Sequence, residues 1–350
     1  MKTKTKPTKE EIIAAFDHNN VADPNAGPFG IPIPLELADY VLLSAPWEVT
    51  VSSGHGTLNG PKRILEGSMQ VDLGSSDVWK KGIAAIPVSK SLMLQNKMTS
   101  AKMRLHLKNT FGEKTTKDRI KAIDSDCERM VYYIENIATK YLAMGKTVIL
   151  LGGDHSTPLG LMRAYKKKYK GEVITVLHID AHFDLRKAYL GAKYSHASIM
   201  RNMLESSRNF KLVSVGIRDY GDDEVTYAVQ NKDRVTTFYD KRDIFEAKAR
   251  GTRWNDIVKR IVAACDDLVY LSFDVDGMER QYCPATGTPV PGGLSSNEVA
   301  SIISAVAKEK TIVGFDINET GDGEWDGFVS AKLLYHFIDE TDKSKKNFRG

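Results

Sequence analysis

The chain has 350 residues, 42% of them apolar and 27% charged, with a formal charge of +4. That balance excludes a disordered chain, a fibrous repeat and a small disulfide scaffold, and the length suits one large domain or two ordinary ones. Residues 1–10 hold four Lys against one Glu, and residues 341–350 hold three Lys and one Arg against one Asp. The basic balance is therefore ascribed to solvated tails and not to a nucleic-acid surface.

In chain order, the first predicted strand covers 39–45. Residues 85–116 have weak periodicity and many polar side chains, and read as an irregular loop near the site. In 117–144, Ile120, Ile123, Cys127, Met130, Ile134, Ile137 and Tyr141 recur at threes and fours, which predicts a helix face. Further strands are expected at 147–152, 172–178, 211–217, 268–273 and 310–315, all short and nearly continuously apolar. A helix is expected from Trp254 to Cys265. Ser295 and Glu298 form a capping box before another helical run. Strands alternating with helices predict an α/β fold on a parallel sheet, whose ligands bind beyond the carboxyl ends of the strands. Cys127, Cys265 and Cys283 are odd in number and form no CxxC pair, so they read as small buried residues. No apolar run reaches the ~18 residues of a membrane span, and the start lacks the apolar core of a signal peptide. A cytoplasmic protein with neither a membrane nor a nucleic-acid partner is the expectation.

Four predicted strands end in carboxylates or imidazoles. The endings are Gly-Gly-Asp-His-Ser (152–156), His-Ile-Asp-Ala-His-Phe-Asp (178–184), Ser-Phe-Asp-Val-Asp-Gly (272–277) and Gly-Phe-Asp-Ile-Asn-Glu (314–319). Carboxylates gathered at one sheet edge repel each other unless a cation neutralises them. Oxygen and imidazole donors together suit Mn²⁺, Ni²⁺, Fe²⁺ or Zn²⁺, and the number of donors exceeds what one ion takes. If extended, Asp180, His182 and Asp184 would face one way, as would Asp274 and Asp276. Asp154 or Asp316 alone reads equally as a helix cap.

The segments Gly-Gly-Asp-His-Ser, Asp-Ala-His-Phe-Asp and Ser-Phe-Asp-Val-Asp resemble the three signatures of the ureohydrolase family of arginases, agmatinases, guanidine hydrolases and formimidoylglutamases. The resemblance extends to Gly54-His55-Gly56-Thr57, Gly60-Pro61 and residues 284–294, and runs from about residue 38 to 340. It implies a single three-layer α/β/α domain with a mainly parallel sheet over 38–340. Residues 1–37 would be an extension and 341–350 a basic tail, and the assembly a homotrimer or homohexamer. It implies two divalent ions, Mn²⁺ or Ni²⁺. His155, Asp180, Asp184 and Asp274 would hold one, and Asp180, His182, Asp274 and Asp276 the other. A hydroxide between the ions would attack the substrate and Asp184 would receive its proton. Glu319 would hold the guanidinium, His196 would shuttle a proton to the leaving amine, and Thr288 would stand at the pocket wall.

The chain departs from the family at Glu279-Arg280, where most members have Asp-Pro. Arg186 occupies the place where arginase-like members carry an Asn for the substrate carboxylate. It reads either as a carboxylate ligand, as in formimidoylglutamases, or as one half of a local salt bridge. Tyr194-Ser195-His196 resembles agmatinases and guanidine hydrolases. Gly221 stands where arginases place an acid, which disfavours L-arginine. The expectation is urea release from an agmatine-like or guanidine substrate. The alternatives are formamide release from formimidoylglutamate and a catalytically silent subunit of the same fold.

Overall fold

The computed structural model describes residues 6–51, 54–74, 76–108 and 114–348. Eight strands form one sheet: β1 (Tyr40–Ala45), β2 (Ile83–Ile86), β3 (Thr147–Gly152), β4 (Ile174–Ile179), β5 (Phe210–Ile217), β6 (Val235–Tyr239), β7 (Leu268–Asp274) and β8 (Thr311–Asn318). Their order is β2-β1-β3-β8-β7-β4-β5-β6, and every pair is parallel. β3, β4, β7 and β8 are buried at every position, which is why they read as unbroken apolar runs.

The helices are α1 (Lys9–Ala15), α2 (Gly60–Ser68), α3 (Lys90–Lys108), α4 (Lys114–Ala143), α5 (Leu159–Lys168), α6 (Ile199–Ser206), α7 (Asp222–Gln230), α8 (Glu246–Ala249), α9 (Trp254–Ala263), α10 (Ser296–Glu309) and α11 (Glu324–Phe348). They cover both faces of the sheet. Ile149 and Leu151 point into a core with Ile64, Ile257, Val299 and Leu334, from α2, α9, α10 and α11. Val148 and Leu150 point into the opposite core with Ile123, Met130, Met162 and Met203, from α4, α5 and α6. This is the three-layer α/β/α arrangement. The Ser295–Glu298 capping box is present, with the Glu298 N–H donating to Ser295 Oγ at 3.2 Å and the Ser295 N–H to Glu298 Oε2 at 2.9 Å.

Three expectations are corrected. Residues 85–116 are not an irregular loop, since β2 ends at Ile86 and α3 fills 90–108. α3 escapes a periodicity reading because its inner face mixes Leu92 and Met103 with buried Asn96, Thr99, Ser100 and His106, while Leu94 and Met98 face out. The strands β2 and β6 were missed. The first is only Ile-Ala-Ala-Ile, and the second is an edge strand buried at only two of its five positions. Residues 341–348 are no free tail. They continue α11, and Ser344 Oγ is buried and accepts the Ile312 N–H of β8 at 3.0 Å. Residues 1–37 contribute Phe29, Ile31 and Ile33 to a core. All three cysteines are free and buried. No helix among the described residues is long and apolar enough to cross a membrane.

Candidate functional site

Four neighbouring strands at the centre of the sheet, β3, β8, β7 and β4, deliver the candidate residues at their carboxyl ends. After β3 the chain passes so close to Trp47 that a Cβ on Gly153 would lie 2.0 Å from its carbonyl oxygen. Glycine is needed for that approach. Asp154, fully buried, then clamps the same segment. It accepts the N–H groups of Val49 at 3.0 Å and Thr50 at 3.4 Å, so its role is to hold a loop.

His155 follows, with three carboxylates around one ring nitrogen. Its Nδ1 lies 3.0 Å from Asp180 Oδ2, 3.2 Å from Asp274 Oδ2 and 3.4 Å from Asp184 Oδ2. Its Nε2 meets Ser272 Oγ at 2.9 Å, and that hydroxyl donates to Asp316 Oδ1 at 2.9 Å. The outer nitrogen is thus anchored and the inner one is aimed at the carboxylates, as in a histidine oriented for a metal. A second group adjoins it, with His182 Nδ1 3.1 Å from Asp276 Oδ2 and 3.5 Å from Asp180 Oδ1. Asp180 therefore offers one oxygen to each group. Among the described residues, His155, His178, Asp180 and Asp184 form one cluster that could hold a metal ion, and Asp180, His182 and Asp276 form another. Asp274 lies between the groups, with its Oδ2 beside His155 and its Oδ1 accepting the Asp276 N–H at 2.8 Å.

Alternation along extended strands does not produce this convergence. β4 ends at Ile179, β7 ends at Asp274 with a 3₁₀ turn over Val275–Gly277, and Asp184 has a φ of 56°. Glu319 likewise has a φ of 59°. Two non-glycine residues in the left-handed region cost about 1–3 kcal/mol each, and both bring a carboxylate to the site. Glu319 Oε1 accepts the His155 N–H at 2.8 Å, which ties the end of β8 to that of β3.

The electrostatics are those of a crowded anionic site. Burial raises the carboxyls of Asp184, Asp274 and Glu319 well above their usual range, and neighbouring carboxylates add to the shift. Burial would also raise Asp180, but the imidazoles of His178, His155 and His182 hold it well below. Burial disfavours the charged forms of His155 and His182, yet the surrounding carboxylates raise both. So many buried acids gathered beside imidazoles fit a divalent metal site.

A cleft of about 410 Å³ opens above these groups. His182 and Asp184 stand on its wall with Arg186, Tyr189, His196, Asp219, Glu224 and Thr288. His155, Asp180, Asp274, Asp276 and Glu319 are buried and lie outside that wall. His196 Nδ1 meets Thr50 Oγ1 at 3.1 Å. Burial, aided by the charges of His182 and His155, pushes the His196 imidazole down to about 3. Arg186 Nε lies 3.5 Å from Glu224 Oε2, so the local salt bridge is formed. Glu224 also accepts the N–H groups of Leu185 at 3.0 Å and Gly221 at 2.8 Å.

One participant was missed in the sequence. His178 Nε2 lies 2.8 Å from Asp180 Oδ2, and Nδ1 lies 3.2 Å from Ser214 Oγ. Its place two residues before Asp180 on a predicted strand was the available signal, since such positions share a face.

The Arginase family matches residues 38–321. The chain is 30% identical over 307 residues to an N(1)-aminopropylagmatine ureohydrolase of Thermus thermophilus, covering 87% of this chain and 91% of that protein. It is 27% identical over 319 residues to an agmatinase of Pyrococcus horikoshii, covering 87% and 93%. The crystal structure of the agmatine ureohydrolase of Thermoplasma volcanium matches with a TM-score of 0.65 and 26% identity, over 97% of this chain and 99% of that one. On the sheet topology, the paired His/Asp clusters and these matches, the chain belongs to the arginase family.

Proposed function

We propose that the protein is a dinuclear metallohydrolase that cleaves a C–N bond of a linear guanidino or amidino compound and releases urea, with an agmatine-like amine as substrate. The observation that carries this reading is the division of Asp180, whose Oδ2 faces His155 and whose Oδ1 faces His182. His155, Asp180, Asp184 and Asp274 would hold one divalent ion, Mn²⁺ or Ni²⁺, and Asp180, His182, Asp274 and Asp276 the other. When bound, such a pair supplies a water activated at neutral pH.

The chain's own groups supply the rest. Asp184, on the cleft wall and beside His155, is placed to accept the proton that the water gives up. His196 shares that wall and is held by Thr50, and as a neutral imidazole it relays to the departing amine the proton that Asp184 takes up. Glu319 pairs with the guanidinium in a charge-assisted contact that fixes the carbon under attack. Thr288 lines the same cleft.

The wall supports an amine over an amino acid. Asp219 and Glu224 line it, and Arg186, its one arginine, is held by Glu224. A distal ammonium meets favourable charge there. A substrate carboxylate must compete with Glu224 for Arg186. The position of Arg186 on the wall also keeps formimidoylglutamate as a second reading. The test is product release by protein loaded separately with Mn²⁺ and Ni²⁺, against agmatine, guanidine, guanidinobutyrate, arginine and formimidoylglutamate. Urea from agmatine supports the first reading, and formamide alone moves the assignment to the second. No product from a metal-loaded protein would reject both.

A further inference from the structure

We propose that Arg218 is a positioning residue for the second metal position, tying Asp276 to the segment of Asp180 and His182 and tying the cleft wall to both. The role rests on the dinuclear reading. Arg218 is the residue after β5, and it stands outside both His/Asp clusters and outside the cleft wall. Its guanidinium is committed to five backbone carbonyls. Nη2 donates to Asp276 at 2.6 Å, Met278 at 3.2 Å and Val290 at 3.1 Å. Nη1 donates to Gly216 at 3.1 Å and Gly277 at 3.4 Å, and Nε donates to Val290 at 3.3 Å. Among the described residues no carboxylate pairs with it. An arginine that met a substrate carboxylate would keep donors turned to the cleft. All five N–H groups of this one are taken.

Arg218 joins three segments that meet beyond the strand ends. The first is the turn after β7, which carries Asp276. The backbone of Asp276 is fixed on both sides, its N–H on Asp274 Oδ1 at 2.8 Å and its carbonyl in the shortest of the Arg218 contacts. The second is the segment after β4. The Arg218 N–H donates to the Ala181 carbonyl at 2.8 Å, and the Ala181 N–H donates to Asp276 Oδ1 at 3.1 Å. Arg218, Ala181 and Asp276 thus close a ring of three hydrogen bonds. That ring sets Asp276 Oδ2 at 3.1 Å from His182 Nδ1. The third is the wall, where Thr288 and Val290 line the cleft and the Val290 carbonyl accepts from both Nε and Nη2.

The surrounding backbone is shaped for this contact. Gly293 has a φ of 107°, and a Cβ there would lie 2.7 Å from the Met278 carbonyl oxygen and 2.9 Å from Arg218 Nη2. Gly216 has a φ of 93° at a register shift between β5 and β6, and its carbonyl accepts from Nη1. Such a seat suits a rigid planar fork, which a lysine cannot reproduce. His155, in the first cluster, is anchored differently, by Ser272 at its Nε2 and by Glu319 at its N–H. Loss of Arg218 therefore reaches the second ion and spares the first.

The test titrates Mn²⁺ into the full chain, stripped by chelator, and reads each binding step by calorimetry. Arg218→Lys keeps the charge but offers its donors from one point, and Arg218→Met offers none. A wild type that binds fewer than two ions would sink the dinuclear reading, and the proposal with it. In the Arg218 variants, the step that Asp276→Asn abolishes is expected to lose about 10–100-fold in affinity, while the other step is unchanged. At two equivalents of Mn²⁺, the paramagnetic resonance of a coupled pair should give way to that of isolated ions. At saturating Mn²⁺, kcat is expected to return while KM stays raised, because the wall is still unheld. With wild type binding two ions, equal weakening of both steps or no weakening of either would overturn the proposal. So would a kcat that excess metal does not restore, or a KM that it restores fully. Loss of folding in both variants with metal present would make Arg218 a support of the fold alone, and would overturn it too.

Discussion

Asp180 is the residue on which both clusters depend, because its two oxygens face different imidazoles. Asp180→Asn keeps the shape but removes the charge and leaves one neutral oxygen donor in place of two anionic ones. Activity is expected to fall by more than about 100-fold, beyond the loss typical of residues that only support metal ligands. Metal content by mass spectrometry should fall with it, and full turnover would reject the dinuclear reading. Arg186 poses the question of selectivity at the same scale. Its salt bridge to Glu224 sets it against any substrate carboxylate. Glu224→Ala frees the guanidinium and removes a negative charge from the wall. The ratio of kcat/KM for guanidinobutyrate over agmatine should rise about tenfold, the effect of roughly 1.4 kcal/mol. An unchanged ratio would mean that Arg186 does not face the substrate.

At the scale of elements, the site is a product of strand ends supported by neighbouring strands. Ser272 on β7 links His155, after β3, to Asp316 on β8, whose carboxyl is raised to about 6 by burial. Ser272→Ala cuts that link while leaving every candidate metal ligand in place. Metal affinity is expected to drop 10–100-fold in chelator competition, with kcat recovering at saturating metal. A fall in kcat that excess metal does not rescue would give Ser272 a different role. The strand ends were legible in the sequence because β3, β4, β7 and β8 are buried on both faces and so are marked by unbroken apolar runs. The donors stand directly after those runs, and six candidate ligands could be named. Three things were not legible. α3 puts polar and apolar residues on both its faces, and β2 and β6 lie at the edges of the sheet, where burial imposes little pattern. The left-handed turns at Asp184 and Glu319 leave no mark in residue type, since neither is glycine. His178 was visible but carried no role until its contact with Asp180 was seen.

For the whole molecule, the site sits where two apolar layers meet around one sheet, and its burial makes its charge a matter of global stability. In protein stripped by chelator, burial raises the carboxyls of Asp184, Asp274 and Glu319, and carboxylates raise the imidazoles of His155 and His182 against the effect of burial. All five bind protons more tightly folded than unfolded. Above about pH 7 the unfolded chain has released those protons, so raising the pH draws them from the folded state alone and stability falls. Asp180, held low, acts only in acid, near its unfolded value of about 3.9. His178 and His196, both lowered by burial, act up to about pH 6.5 and are silent above it. The buried thiols of Cys127, Cys265 and Cys283 are raised as well, but they contribute equally with or without metal. Bound metal requires its ligands deprotonated and so removes the penalty that the stripped chain meets. The gap in Tm between Mn²⁺-loaded and stripped protein should therefore widen from about pH 7 to about pH 8.5, as scanning calorimetry at the two pH values would read it. A constant or narrowing gap would mean that the buried acids and imidazoles are not the metal's ligands.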